Sequence, residues 1–221
     1  MDTTDNLVKK VLSTSQASLI VERVSEELKK EQERRKAFYE WIDEDMKAEF
    51  IDGEIVVHSP VMKEHNDATK RMLALLDTYV KLKNIGYVGV EKVMVRFSRN
   101  DYEPDLCYFK TAKSKNFKKG QHLFPVPDMA IEVRSNSTAK NDAVTKYKDY
   151  EQHGVEEYWM VDPDKETIEQ YLLVDGQYQL NLKTSEGNIT SQAVIGFIIP
   201  IKAIFDDSIQ INTLRKILLT K

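Results

Sequence analysis

The stretch of sequence that decides the fold is PDMAIEVRSNST, residues 127–138, because it places one charged residue inside an apolar run. The run extends from Met129 to Val133 between Pro127 and the polar residues 135–138, which predicts a strand at the centre of a sheet. Glu132 interrupts this run. An ionised carboxylate in a low-dielectric interior costs several kcal/mol unless a cation or hydrogen bonds compensate it. We therefore expect a positively charged group beside Glu132.

The segments on either side of this strand predict an α/β fold. Upstream, KAEFIDGEIVV (47–57) predicts a β-hairpin around Asp52-Gly53, followed by a helix that opens at Ser59-Pro60. VEKVMVRF (90–97), PDLCYF (104–109) and EYWMVDP (157–163) predict strands. A helix is expected over about 138–153, and more strands and a short helix complete the chain. This order predicts a central mixed sheet flanked by helices.

Residues 1–36 differ in pattern from the rest of the chain. Leu19, Ile20, Val24 and Leu28 recur at helical spacing among many charges, which predicts an amphipathic helix. We take residues 1–36 as an N-terminal helical arm and residues 37–221 as the main domain. The arm is expected to pack either on that domain or on a second copy of the chain in a homodimer, and the sequence leaves both open.

Composition and charge restrict the classes of function. With 41% hydrophobic residues in a chain of 221, a folded protein is expected. The net charge of -4 provides no overall basic field, so binding to nucleic acid would have to be local. A lysine segment, residues 106–127, contains no acidic residue and five lysines: Lys110, Lys113, Lys115, Lys118 and Lys119. This segment could contact phosphates or could simply be solvated.

The sequence also indicates the cellular compartment and argues against zinc and nucleotide cofactors. No apolar run approaches the roughly 18 to 20 residues that cross a bilayer, and the N-terminus lacks the apolar stretch of a signal peptide, so we expect a cytoplasmic protein. The single cysteine, Cys107, agrees with a reducing compartment and is expected to be buried in a strand. His58, His122 and His153 show no zinc-ligand spacing, and no nucleotide-binding motif is present.

A second carboxylate, Asp105, stands at the start of the apolar strand from Leu106 to Phe109. If that strand neighbours the one with Glu132, the two carboxylates can converge and supply the oxygen ligands that Mg²⁺ or Mn²⁺ prefers. Such an ion can activate water and neutralise charge on a phosphate, which favours phosphodiester hydrolysis. The alternative is structural: Glu132 pairs with Arg134 on the same strand face or with a lysine of the next helix.

Lys146 lies on the helix predicted after Glu132. At about 100° per residue it falls at the edge of the apolar stripe, from which its ammonium can reach the sheet. Asp142, one turn earlier, shares that edge. The alternative is an exposed Asp142–Lys146 pair on a solvated face, which would contribute only about 0.3 to 0.5 kcal/mol.

Several pieces of the sequence occur together in a specific order. They are AEFIDGEIVVHSP (48–60) with His65 five residues beyond Pro60, Pro104-Asp105-Leu106, PDMAIEVRSNST, Asp142 with Lys146 and Tyr150, GVEEYWMVDP (154–163) and the tail GFIIPIKAIF (196–205). In this order and spacing the chain resembles the Uma-two family of restriction endonucleases, a branch of the PD-(D/E)xK nuclease superfamily. The resemblance covers most of the chain beyond the arm.

The resemblance implies a restriction-endonuclease-like core and a metal-dependent endonuclease that acts on DNA. It implies that Asp105 and Glu132 bind Mg²⁺ or Mn²⁺ and that Lys146 is the superfamily lysine, moved onto a helix. Arg134 stands where the nominal Glu-x-Lys pattern has lysine; it can stabilise charge but is a poor base. Glu49 and His65 also match family positions, although His65 could equally be a satisfied core histidine. The rival interpretation is a nuclease-fold protein that binds nucleic acid or a protein partner without cutting.

Overall fold

The computed structural model describes residues 3–43, 45–134 and 142–219. Helices in these ranges are α1 (Thr3–Leu12), α2 (Ala17–Trp41), α3 (Lys63–Lys83), α4 (Thr111–Ser114), α5 (Asp142–Gln152) and α6 (Asp207–Leu219), with a 3₁₀ turn at Ile201–Ile204. Strands are β1 (Ala48–Ile51), β2 (Glu54–Val57), β3 (Gly86–Val90), β4 (Met94–Arg96), β5 (Asp101–Tyr102), β6 (Leu106–Lys110), β7 (Leu123–Phe124), β8 (Met129–Val133), β9 (Glu157–Asp162), β10 (Thr167–Val174), β11 (Gln177–Thr184), β12 (Asn188–Thr190) and β13 (Ile198–Pro200).

The central sheet has six strands in the order β11-β10-β9-β8-β6-β3. The pair β8–β9 is parallel and the other neighbours are antiparallel, so the sheet is mixed. The strand predicted around Glu132 is β8, at the interior of this sheet. The predicted α/β class with a central mixed sheet flanked by helices is therefore confirmed.

Each face of the central sheet has its own core. Alternate residues of a strand point to opposite faces, and Leu106 and Ile131 belong to a cluster that also contains residues of α3 and α6. Cys107 and Ala130 belong to a second cluster, with Tyr150 of α5. Cys107 is buried in a strand, as predicted. The second face is the one on which the candidate site forms.

A second sheet, absent from the prediction, covers part of that face. Its order is β2-β1-β5-β4-β7. The segment 90–97, predicted as one strand, is divided because Glu91 adopts a left-handed conformation with φ 49°, after which the chain leaves the central sheet and enters the second. The alternation of apolar residues does not reveal such a break, since both halves remain extended.

The predicted hairpin at Asp52-Gly53 is present as β1–β2. Both turn residues have positive φ, 51° and 87°, as a two-residue hairpin turn requires. The helix predicted after Ser59-Pro60 is α3, which begins at Lys63 and ends at a left-handed Asn84. The expected start of the later helix near residue 138 lies outside the described residues, which resume at α5.

The N-terminal region contains two helices, α1 and α2, where one was expected. Helix α2 continues past residue 36 and docks on the second sheet. Arg35 donates two hydrogen bonds of 2.6 Å to the Asp101 carboxylate, and Phe38 is fully buried beside Phe50. In the described part of the chain, none of the helices has the length and apolar character needed to cross a membrane.

A buried carboxylate that hydrogen bonds compensate holds the β12–β13 hairpin against the central sheet. Glu157 is 0% exposed and accepts hydrogen bonds from the Trp159 indole and the Gln170 amide at 2.6 Å. Its other oxygen accepts from the Ser191 hydroxyl at 2.7 Å and from the backbone N–H groups of residues 192 and 193 at 2.8 Å. Five donors thus replace the water that this carboxylate loses on burial.

Candidate active site

The carboxylates of Asp105 and Glu132 lie at neighbouring ends of two adjacent strands. In the antiparallel pair β6–β8, Leu106 is opposite Ile131, and Asp105 directly precedes Leu106. The next residue after Glu132, Val133, donates its backbone N–H to Oδ2 of Asp105 at 2.8 Å. The strands that carry the two predicted carboxylates are therefore neighbours, which was the condition for a shared ligand site.

Asp105 is held in its ionised form by three donors. Besides the Val133 amide, Nε2 of His65 lies 3.1 Å from Oδ2 and the ammonium of Lys47 lies 3.3 Å from Oδ1. Burial by itself would raise the pKa of this carboxyl, but the His65 hydrogen bond and the Lys47 charge outweigh it and lower the pKa to about 2. Asp105 thus carries a fixed negative charge at neutral pH.

Glu132 is partly accessible and faces α5. Its side chain is 16% exposed, and Oε1 accepts a hydrogen bond from the Tyr150 hydroxyl at 2.8 Å and from the Lys146 ammonium at 3.2 Å. Burial raises the pKa of Glu132 above its ordinary value; Lys146 opposes this, and the charges of Asp105 and Glu49 add to it. The positive group expected beside Glu132 is Lys146, the lysine of the next helix.

Lys146 joins the two sheets. Its ammonium lies 2.8 Å from Oε1 of Glu49 on β1 and 3.2 Å from Glu132 on β8, and it stands 5.6 Å from the ring centre of Tyr102. The residue is only 7% exposed, so the alternative of a solvated surface lysine is excluded. Burial would lower the pKa of Lys146, but the two carboxylates raise it above its ordinary value. The side chain of Asp142 lies outside those described.

Glu49 is fully buried and completes the polar cluster. Its Oε1 also accepts the backbone N–H of Glu103 at 2.8 Å, and Nε2 of His58 lies 3.1 Å from Oε2 at an angle that does not form a hydrogen bond. Burial would raise the pKa of Glu49, but Lys146 and His58 lower it to about 2. The side chain therefore anchors Lys146 rather than opening to solvent.

Period-two alternation on β1 explains why Lys47 and Glu49 act together. Ala48 and Phe50 point into the core beneath α2, so Lys47 and Glu49 point the other way, toward the central sheet. Sequence reasoning included Glu49 but missed Lys47, although the same alternation could have found it.

Glu103 was also missed. It stands two residues before Asp105 and is 4% exposed. Burial and the neighbouring charge of Glu49 raise the pKa of Glu103 to about 7, against the lowering effect of Lys47. Among the described residues its Oε2 has no hydrogen-bond partner. Its signal in the sequence was weak, because Pro104 interrupts the strand pattern there.

Arg134 takes no part in these contacts within the described structure. Its guanidinium lies 3.8 Å from Asp162 and 3.6 Å from Glu169, on the neighbouring strands β9 and β10. Glu132 therefore pairs with the helix lysine and not with Arg134. The arginine is 35% exposed in its side chain and occupies the next position along the same strand face.

The lysine segment lies away from the carboxylates. Lys110 pairs with Glu156 and Lys113 with Asp128, at the end of β6 opposite to Asp105. Five residues of a strand at about 3.3 Å each separate the two ends by roughly 17 Å. Lys115, Lys118 and Lys119 are exposed. Their position agrees with a solvated segment rather than with part of this site.

The carboxylate oxygens of this cluster are of the kind that bind a divalent ion. Among the described residues, no three His, Cys, Asp or Glu side chains are arranged to hold a metal. Mg²⁺, however, is commonly bound by one or two carboxylates and several waters, and Asp105 and Glu132 provide these oxygens. In the described structure, the carboxylates of Asp105, Glu132 and Glu49 lie beside two ammonium groups, those of Lys47 and Lys146. The residues present therefore fit a hard cation.

Two acidic residues thus meet at neighbouring strand ends of a mixed sheet, and a lysine of the following helix lies against one of them. The family model for Uma2, described as "Putative restriction endonuclease", matches residues 19–202. The chain belongs to this family.

Solved structures support the same fold. The chain is similar to a crystal structure titled as a "putative nuclease belonging to DUF820" from Anabaena variabilis, with a TM-score of 0.66 and 18% sequence identity. The match covers 80% of this chain and 96% of that one. None of the curated proteins matches the chain.

Proposed function

We propose that the protein is a metal-dependent endonuclease that hydrolyses phosphodiester bonds in DNA in the cytoplasm. The observation that carries this proposal is the meeting of Asp105 and Glu132 at the ends of adjacent strands, with the buried ammonium of Lys146 against Glu132. Membership in the Uma2 family supports a nucleic-acid substrate. The preference for DNA rests on the family's description as restriction endonucleases.

Asp105 and Glu132 would hold Mg²⁺ or Mn²⁺, which when bound supplies a Lewis acid for the phosphate and lowers the pKa of a water nucleophile. Asp105 is prepared for this role because its low pKa keeps it ionised. Lys146 stays protonated, so it can stabilise negative charge on the phosphate but cannot accept the proton of water.

His65 and Glu49, which also match family positions, would act through Asp105 and Lys146. His65 orients Asp105 through its 3.1 Å contact, and Glu49 orients Lys146 through its 2.8 Å contact. We assign both as positioning residues. Arg134, two residues beyond Glu132 and partly exposed, would assist by contacting the substrate phosphate only after leaving its loose pairs with Asp162 and Glu169.

The test is cleavage of supercoiled plasmid by the full chain, with Mg²⁺, with Mn²⁺ and with EDTA. Nicked or linear product should require the metal and should fall by about a hundredfold or more in Asp105→Asn and Glu132→Gln. Glu64→Gln is the matched control, because Glu64 is an exposed carboxylate beside His65 and should keep full activity. The proposal fails if varied DNA and RNA substrates stay intact, or if both site variants cleave like the wild type.

Two observations favour a second function, in which the protein binds nucleic acid without cutting it. Both oxygens of Asp105 already accept hydrogen bonds, and Arg134 pairs with two acidic residues. A protein of this kind would bind a labelled DNA duplex equally well in EDTA and in Mg²⁺, and would leave it intact in both. A metal-dependent nuclease would instead bind more tightly with Ca²⁺ or Mg²⁺ present.

A further inference from the structure

The N-terminal helices carry a group of large apolar side chains that the rest of the described chain leaves uncovered. In α2, Val21, Val24 and Leu28 are 55%, 52% and 40% exposed. In α1, Leu7 and Leu12 are 63% and 68% exposed. Single exposed apolar residues are ordinary, but a group of them within two neighbouring helices marks an interaction surface.

The spacing along α2 is that of a coiled-coil seam. Steps of four and three residues alternate through positions 17, 21, 24, 28, 31, 35 and 38. In the second half of this seam, Glu31, Arg35 and Phe38 are buried against the domain. The first half, positions 17–28, continues the same helix face and has no such cover. Helices with this spacing bury the seam against another helix.

Helix α1 does not provide that cover. Its apolar residues Leu7, Val8, Val11 and Leu12 fall on one face, at the spacing of an amphipathic helix. Three of the four are more than half exposed, as are Val21 and Val24 of α2. The two helices, which residues 13–16 join and which we call the N-terminal helix pair, therefore each retain an open apolar face.

We propose that the N-terminal helix pair is a dimerisation element whose occupant is a second copy of the chain. Two α2 helices meet at their open seams near Val24, and α1 of each copy packs on α2 of the other, giving a four-helix bundle. Such an interface is self-complementary, as two-fold symmetry requires. It buries the apolar faces of both helices at once.

Charge supports this pairing. Helix α1 carries one acidic residue, Asp5, and two lysines, a net charge of +1. Residues 17–28 of α2 carry three glutamates and Arg23, a net charge of -2. Opposite charges on the two helices favour their packing between copies. Helix α1 also lies before residues 19–202, which the family model matches, so this part of the N-terminal helix pair lies outside the matched residues.

The test is the mass of the full chain in solution, measured by sedimentation equilibrium. The wild type should have twice the 25.6 kDa mass of one chain. Val24→Glu should weaken association by about a hundredfold or more, because it places a charge in the seam. Ala37→Glu adds the same charge on the exposed outer face of α2 and should associate like the wild type.

Oxidative cross-linking gives an independent measurement that does not depend on weakening the dimer. Val24→Cys should form a disulfide-linked dimer, whereas Ala37→Cys should not; Cys107 is buried in both. A wild type that remains at the mass of one chain to about 100 µM overturns the proposal. Equal association of Val24→Glu and wild type, or equal cross-linking of the two cysteine variants, also overturns it.

Discussion

Replacing Lys146 by methionine should destabilise the protein by about 3 to 5 kcal/mol at neutral pH, because it leaves buried carboxylates without their cation. The lowered pKa of Glu49 agrees in direction with this loss. The pKa of Glu49 falls from 4.5 to about 2, largely through Lys146 after the opposing effect of burial, and a shift of that size corresponds to about 3 kcal/mol. Methionine has a similar length, so the cavity it leaves is small.

The pH dependence of this difference is a sharper measurement than its size. In the wild type the lowered pKa of Glu49 contributes stability that is present above pH 4.5 and is lost as the pH falls toward 2. Without Lys146, burial raises the pKa of Glu49 and Glu132, so the variant regains stability as these groups take up protons. The difference between the two proteins should therefore shrink as the pH falls from 7 to about 4.5.

Urea unfolding of both proteins at several pH values provides the assay. Lys148→Met is the matched control, because Lys148 is an exposed lysine of the same helix and should change the free energy of unfolding by less than about 0.5 kcal/mol. The double variant Glu49→Gln/Lys146→Met should recover part of the loss. If Lys146→Met costs no more than Lys148→Met, or if the difference grows at low pH, the ion-pair account is refuted.

Three further outcomes are expected. Glu157→Gln should lower the free energy of unfolding by about 3 kcal/mol, because the amide NH₂ of glutamine is itself a donor and cannot accept the hydrogen bonds that Oε2 of Glu157 accepts. In the same urea titration the exposed Glu156→Gln should change little. Lys47→Met should tighten Mn²⁺ binding about tenfold in isothermal titration calorimetry, since it removes a cation 3.3 Å from Asp105; unchanged affinity would contradict this. Gly53→Ala should cost about 1 kcal/mol or more in thermal unfolding, because Gly53 has φ 87° and a Cβ there would lie 2.7 Å from Arg34; an unchanged melting temperature would contradict it.

The parts of the fold that the sequence predicted are those where local pattern and tertiary structure agree. Asp52-Gly53 predicted the hairpin because its residues tolerate positive φ, and the apolar run around Glu132 predicted an interior strand because both of its faces are covered. The break at Glu91 could not be predicted. Its left-handed conformation leaves the apolar pattern of segment 90–97 intact, and only the pairing of β4 with another sheet makes the break necessary.

In the candidate site, too, some residues stand out in the sequence pattern and others do not. Glu132 was found because a carboxylate in an apolar strand requires compensation, and Lys146 because of its place at the edge of a helical stripe. Lys47 and Glu103 lie in segments of mixed polarity, where a charged residue needs no explanation. Their contacts depend on the packing of the second sheet against β6 and β8, which joins segments more than 50 residues apart in the chain.

The charges of this site agree better with the proposed function than with stability alone. Replacing a buried ion pair by well-packed apolar residues is often neutral or stabilising, so stability alone does not account for pairs such as Glu49–Lys146 and Asp105–Lys47. In each pair the two charges come from different elements of the fold, and Glu132 stays partly open to solvent beside them. A purely structural cluster would gain from closing that opening. The proposed function requires it, because a cation and a phosphate would have to reach Asp105 and Glu132 from solvent.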